Sequence, residues 1–157
     1  MKKINIKTIY LVAVISIGLI CLAIGSTYAM FTTSAEINNP ITISSNLTSN
    51  DDTMETFEVE VSPSATVTKT INISSGTVSN VNYSVWYIND ISNIDIGVSS
   101  TSYTTAGTIS NANTTVTTKI SIRNNSSTTK TVTLGVALSK NSIVLASNMS
   151  LVPQKTL

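Results

Sequence analysis

The chain contains no histidine, and its single cysteine, Cys21, lies inside an apolar run near the N-terminus. The first absence removes the commonest zinc ligand and the usual base that activates a serine nucleophile. The second removes disulfides and thiol chemistry from everything beyond that run. Charge is scarce too: 11% of residues are Asp, Glu, Lys or Arg and 5% are aromatic, against about a quarter charged in an ordinary globular chain. Lys2, Lys3 and Lys7 are three of the nine basic residues, so the part beyond residue 29 holds six basic and eight acidic groups, a net charge of −2. It has no cluster of Lys and Arg with which to hold nucleic acid or an anionic membrane surface. Ser, Thr and Asn fill the composition instead.

The N-terminus reads as an export signal. Lys2, Lys3 and Lys7 form a positive leader, residues 9–24 an apolar stretch, and residues 25–29 a small-residue exit with Thr27 and Ala29 where a signal peptidase reads, so that cleavage falls before Met30. Sixteen apolar residues fall short of the roughly 20 that cross a membrane. This favours a cleaved signal peptide over residues 1–29, with an uncleaved anchor through residues 9–24 as the alternative. Both readings place residues 30–157 outside the cytoplasm, secreted or at the cell surface. Ile20, not a small residue, precedes Cys21, which argues against lipidation. The remainder is long enough for one domain with its own core.

Beyond residue 40 the apolar period is two. Ile41 and Ile43; Phe57, Val59 and Val61; Val67, Ile71 and Ile73; and Val81, Tyr83, Val85 and Tyr87 alternate with polar residues. Ile94, Ile96 and Val98; Val116, Ile120 and Ile122; and Val132, Leu134, Val136 and Leu138 continue the pattern, with a last apolar stretch at residues 143–145. Clusters of Ser, Asn, Gly and Asp at residues 74–80, 89–93 and 124–129 read as turns. The expected fold is all-β: an Ig-like or jelly-roll-like antiparallel sandwich of seven to eight strands over residues 30–157. Val67, Ile71, Ile73, Tyr83, Val85 and Tyr87 recur forty-nine residues later as Val116, Ile120, Ile122, Val132, Leu134 and Val136. Each copy reads as a hairpin, one for each of two facing sheets.

The segment Gly-Ser-Thr-Tyr-Ala-Met-Phe at residues 25–31 resembles the G-x-T-[WY]-A-x-F ending of signal peptides on TasA/camelysin-like proteins, which use a SipW-type signal peptidase. Residues 61–76 look like the L-x-P-G-x-x-x-T-K-x-x-x-[IF]-x-N-x-G segment of that family, with Ser64 where the family has glycine and Ser74 where it has asparagine. The resemblance implies a Gram-positive secreted protein; some members polymerise into the extracellular matrix fibres of biofilms. It also brings the name metallopeptidase, given to camelysin-like members. That activity does not carry over, since a chain without histidine has no His-x-x-x-His zinc helix.

Other chemistry is equally sparse. No G-x-S-x-G elbow or S-x-x-K appears among the many serines. Glu58 and Glu60 alternate with Phe57, Val59 and Val61, which turns them to solvent rather than into a carboxylate pair with Glu55. Asp51, Asp52 and Glu55 lack calcium-loop spacing. Lys69 and Asn124 share inward parity and suggest an isopeptide bond, but no acid accompanies them. No catalytic, metal-binding or cofactor-binding residue is therefore assigned, and no cofactor is expected. On the strand around residue 85, Tyr83, Val85 and Tyr87 share one face, and Trp86 and Ile88 the other. The expectation puts Trp86 in the core with Tyr83 turned outward; the alternative is a contact patch for a partner. The C-terminal residues carry no LPxTG signal.

These features point to a non-enzymatic structural protein of the bacterial surface or extracellular matrix, whose partners are its signal peptidase, further copies of itself, or other surface proteins. Phe31, Thr33, Ala35 and Ile37 form the candidate assembly strand, because an alternating segment at a newly cleaved N-terminus can pair with an exposed sheet edge. The alternative is a monomeric or membrane-tethered sandwich that binds carbohydrate or protein through loops such as residues 89–93 or 99–113.

Overall fold

The computed structural model describes residues 35–44 and 52–157. Nine strands run through them: β1 (Ala35–Ser44), β2 (Thr53–Val61), β3 (Thr66–Ser74), β4 (Val81–Ile88), β5 (Ile94–Val98), β6 (Ala106–Ile109), β7 (Thr115–Asn124), β8 (Lys130–Ser139) and β9 (Met149–Leu151). The first sheet has the order β1-β3-β7-β5, and the second β2-β8-β4-β6 with β9 also on β4. Their facing sides form the expected β-sandwich. Two details of the expectation are corrected. The described residues hold nine strands, and β1 runs parallel to β3. The apolar residues 143–145 are loop, while β6 and β9, four and three residues long, are too short for the period-two signal to declare them.

Alternation decides the core. Ile71, Ile73, Ile120, Ile122, Val132 and Leu134 are all fully buried, and they join Val59, Val61, Val85 and Val98 in one cluster shared by both sheets. The opposite parity is not uniformly exposed, however. Ser121, of the parity opposite to Ile120 and Ile122, is 2% exposed, and its hydroxyl lies 3.2 Å from that of Thr68 across the sheet. Its neighbour on β5 is Gly97, whose absent Cβ would lie 2.2 Å from the Lys155 carbonyl oxygen. The chain after β9 thus crosses this face closely, at a place where only glycine leaves room.

The forty-nine-residue echo has a geometric meaning. Val67 pairs with Ile122 and Ile73 with Val116; adding forty-nine to one member and subtracting it from the other converts each pair into the other. Val85 with Val136 and Tyr87 with Leu134 are related in the same way. The sandwich therefore has an internal two-fold relation that exchanges β3 with β7 and β4 with β8. The two copies are not hairpins, as expected from sequence. Each sends one strand to the first sheet and the next to the second.

Local chemistry fixes the crossings. Ser62 to Ala65 is a tight turn closed by the Ala65 N–H on the Ser62 carbonyl at 3.2 Å, with Pro63 at its second position and Ser64 at φ 54°. That is a position glycine adopts without strain. Asn124, fully buried at the end of β7, shares its Nδ2 hydrogens among the carbonyls of Val61, Ser62 and Thr128 at 2.8–3.2 Å. Its Oδ1 accepts from Ser126 N–H and Oγ–H. With its amide so committed, Asn124 is a staple between two crossings. Lys69 pairs with Ile120, four residues back along β7, or about 13 Å at the rise of a strand. The two do not form an isopeptide pair.

Candidate functional site

Ala35 and Ile37 of the candidate assembly strand lie in β1, opposite Val67 and Lys69 of the chain's own β3. Phe31 and Thr33 lie outside the described residues, as do the cleavage-site residues Thr27, Ala29 and Met30 and the signal segment 1–29. The pairing is parallel and its register slips between Ile37 and Ile41. Beyond that slip Ile43 enters the core, 1% exposed. β1 is thus an edge strand anchored by its C-terminal half, and its first residues add backbone hydrogen bonds to the β3 edge.

The second candidate lies on the outer face of the second sheet. Tyr83 and Val85 face the core, and the Tyr83 hydroxyl meets Thr104 Oγ1 at 2.7 Å. Trp86, of opposite parity, therefore faces outward, contrary to the expectation. It is nevertheless fully buried. Two features bury it. The first is Gly135, directly opposite on β8: an added Cβ there would lie 2.2 Å from the indole and 2.8 Å from the Glu55 carbonyl, so the ring lies flat on bare backbone. The second is the loop at residues 140–148. Asn82 Nδ2 donates to the Asn141 carbonyl at its start, and the Asn89 N–H to the Asn148 carbonyl at its end, so the loop passes from one end of β4 to the other on this face. Among the described residues the indole N–H has no hydrogen-bond partner.

Apolar surface gathers here. Met54 on β2, Val144 in the loop and Leu151 on β9 are the exposed large apolar residues among those described, and Val144 is 85% exposed. Met54 pairs with Ala137, and Leu151 with Trp86, so all three belong to this face. Between Met54, Ala137, Ile143 and Val144 lies a small open pocket of about 40 Å³, with Asp52 and Thr53 on its rim. Glu58 and Glu60 continue along β2 on the same face, exposed and without an ion pair among the described residues. The face combines an aromatic floor, an apolar pocket and an acidic margin. Sequence parity had already set Trp86 and Ile88 apart from Tyr83 and Val85. The signal left unread was Gly135, a glycine inside a strand, which marks a close approach.

The loops proposed for ligand binding are fastened down. Asn89 bonds Ser150, and Asn93 accepts from Asn125. Within residues 99–113, Thr105 donates its N–H and hydroxyl to Gln154 Oε1 at 3.2 Å each, and Gln154 Nε2 donates to the Tyr103 carbonyl. Among the described residues no three His, Cys, Asp or Glu side chains gather as a metal site would need.

The fold defines an all-β sandwich. No protein-family model matches the chain, and no curated protein is similar to it. Among solved structures it is similar to the Aeromonas hydrophila periplasmic lysozyme inhibitor PliG, an inhibitor of g-type lysozyme, at 10% identity and a TM-score of 0.32, over 67% of this chain and 98% of that one.

Proposed function

We propose that the protein is an exported, non-enzymatic structural subunit of the bacterial surface or extracellular matrix that assembles by exchange of its N-terminal strand. The observation that carries this reading is β1, an N-terminal edge strand following directly on a sequence that reads as a signal peptide with a TasA/camelysin-like exit. Lifting the first residues of β1 away frees the backbone groups of β3, and the same strand of another subunit supplies identical partners. A second reading, a monomeric or membrane-tethered module, is favoured by the apolar outer face of the second sheet.

The reading makes two expectations. N-terminal sequencing of exported material should start at Met30. Light scattering and electron microscopy should show assemblies for the intact exported protein and none after deletion of residues 30–39. Equal behaviour of the two proteins removes strand exchange and leaves the module reading.

A further inference from the structure

We propose that the free edge of β2, together with the pocket at its start, docks an extended segment of a partner protein carrying two basic side chains and one apolar anchor. β2 is the last strand of its sheet and pairs with β8 on one side, so among the described residues its other row of N–H and C=O groups has no strand beside it. Such an edge accepts an added strand unless something repels it. Met54, Glu58 and Glu60 share the outward parity of β2. A residue added opposite Met54 therefore sits beside the pocket, and residues four and six positions away sit opposite the glutamates.

The charge pattern selects the occupant. A second copy is disfavoured, because neither β1 (AEINNPITIS) nor β2 (TMETFEVEV) contains a lysine or arginine. Parallel in-register pairing of two β2 strands, or antiparallel pairing centred on Val59, would oppose glutamate to glutamate. An antiparallel segment of the form Lys-x-Lys-x-x-x-Leu places its lysines on Glu60 and Glu58 and its leucine against Met54, at the margin of the pocket. Lys140, the cation of the covering loop, lies past the end of β8 near the start of β2, away from the two glutamates. Strand exchange uses the β3 edge of the other sheet, so this docking does not depend on polymerisation.

Trp86, the only tryptophan of the chain, reports on this face. The test titrates the full-length chain, in mild detergent, with a synthetic peptide containing Lys-Thr-Lys-Thr-Thr-Thr-Leu while Trp86 emission is followed. A saturable change is expected, weakened about tenfold by Glu58→Lys with Glu60→Lys and similarly when ionic strength rises from about 0.05 to about 0.3 M. The charge-reversed protein should instead prefer the peptide with glutamates in place of its lysines, which a merely misfolded variant cannot do. Met54→Ser with Val144→Ser should weaken both combinations. Absence of saturation at millimolar peptide, equal affinity for basic and acidic peptides, or undiminished binding of the basic peptide by the reversed protein overturns the proposal.

Discussion

The two flanks of the sandwich are tied differently: among the described residues, one is joined by the C-terminal chain and the other by the Ser62–Ala65 crossing that Asn124 staples. On the first flank the chain leaves β9 in the second sheet, buries Val152 completely while its N–H donates to Val85 at 2.9 Å, and then joins the first sheet. There the Val98 N–H donates to Lys155 at 2.8 Å and the Leu157 N–H to Val98 at 3.1 Å, a parallel bridge. On the opposite flank β1 and β2 end their sheets, and no described segment joins them. The internal two-fold relates the central strands of the halves but not these margins. Stability concentrates where the chain ties the sheets, while the β1 and β2 margins carry edge strands that could accept a further one.

The sharpest test of this contrast removes residues 152–157. Loss of a fully buried valine and of the bonds around Gln154 and Val98 should reduce stability by on the order of 4 kcal/mol in urea unfolding. A midpoint that hardly moves would mean the C-terminal tie is ornamental. Next in size is Gly135→Val, which forces a side chain into the space of the Trp86 indole; a loss of about 3 kcal/mol is expected, with a changed Trp86 emission spectrum. Unaltered emission would place the indole elsewhere.

Asn124→Ala strips the partners from three carbonyls at once and should lower stability by about 2 kcal/mol, measured by thermal unfolding. The smallest effect has the opposite sign. Ser64→Gly relieves a left-handed serine in the Ser62–Ala65 crossing and should raise stability by roughly 1 kcal/mol. If it destabilises instead, the turn at Pro63 is not what holds that crossing.

Much of this was legible because a strand's period reports which face a residue occupies. Ile71, Ile73, Ile120 and Ile122 were assigned inward from parity, and each is fully buried. Period says nothing about which strand lies alongside. The parallel placement of β1 and the crossing of β3 and β4 into different sheets therefore had no local signature. The 143–145 stretch misled for a related reason: Ile143 and Val144 line the pocket beside Met54 and Ala137 instead of entering a ladder. Of the candidate assembly residues, Ala35 and Ile37 have a place in the fold, whereas Thr27, Ala29, Met30, Phe31 and Thr33 rest on sequence alone.

Every ladder in the described residues joins strands that are not neighbours in sequence: β1 with β3, β2 with β8, β3 with β7, β4 with β6, β8 and β9, and β5 with β7. Among the described residues there is no hairpin from which to start. Such topologies gain their first pairings only after long loops close, and they fold over about milliseconds to seconds. A chain emerging N-terminus first holds β2, β3 and β4 without their antiparallel partners until residues beyond 105 have followed. If the chain is exported as proposed above, this ordering acts as a built-in delay: a polypeptide in transit stays unpaired and collapses only when nearly all of it has arrived.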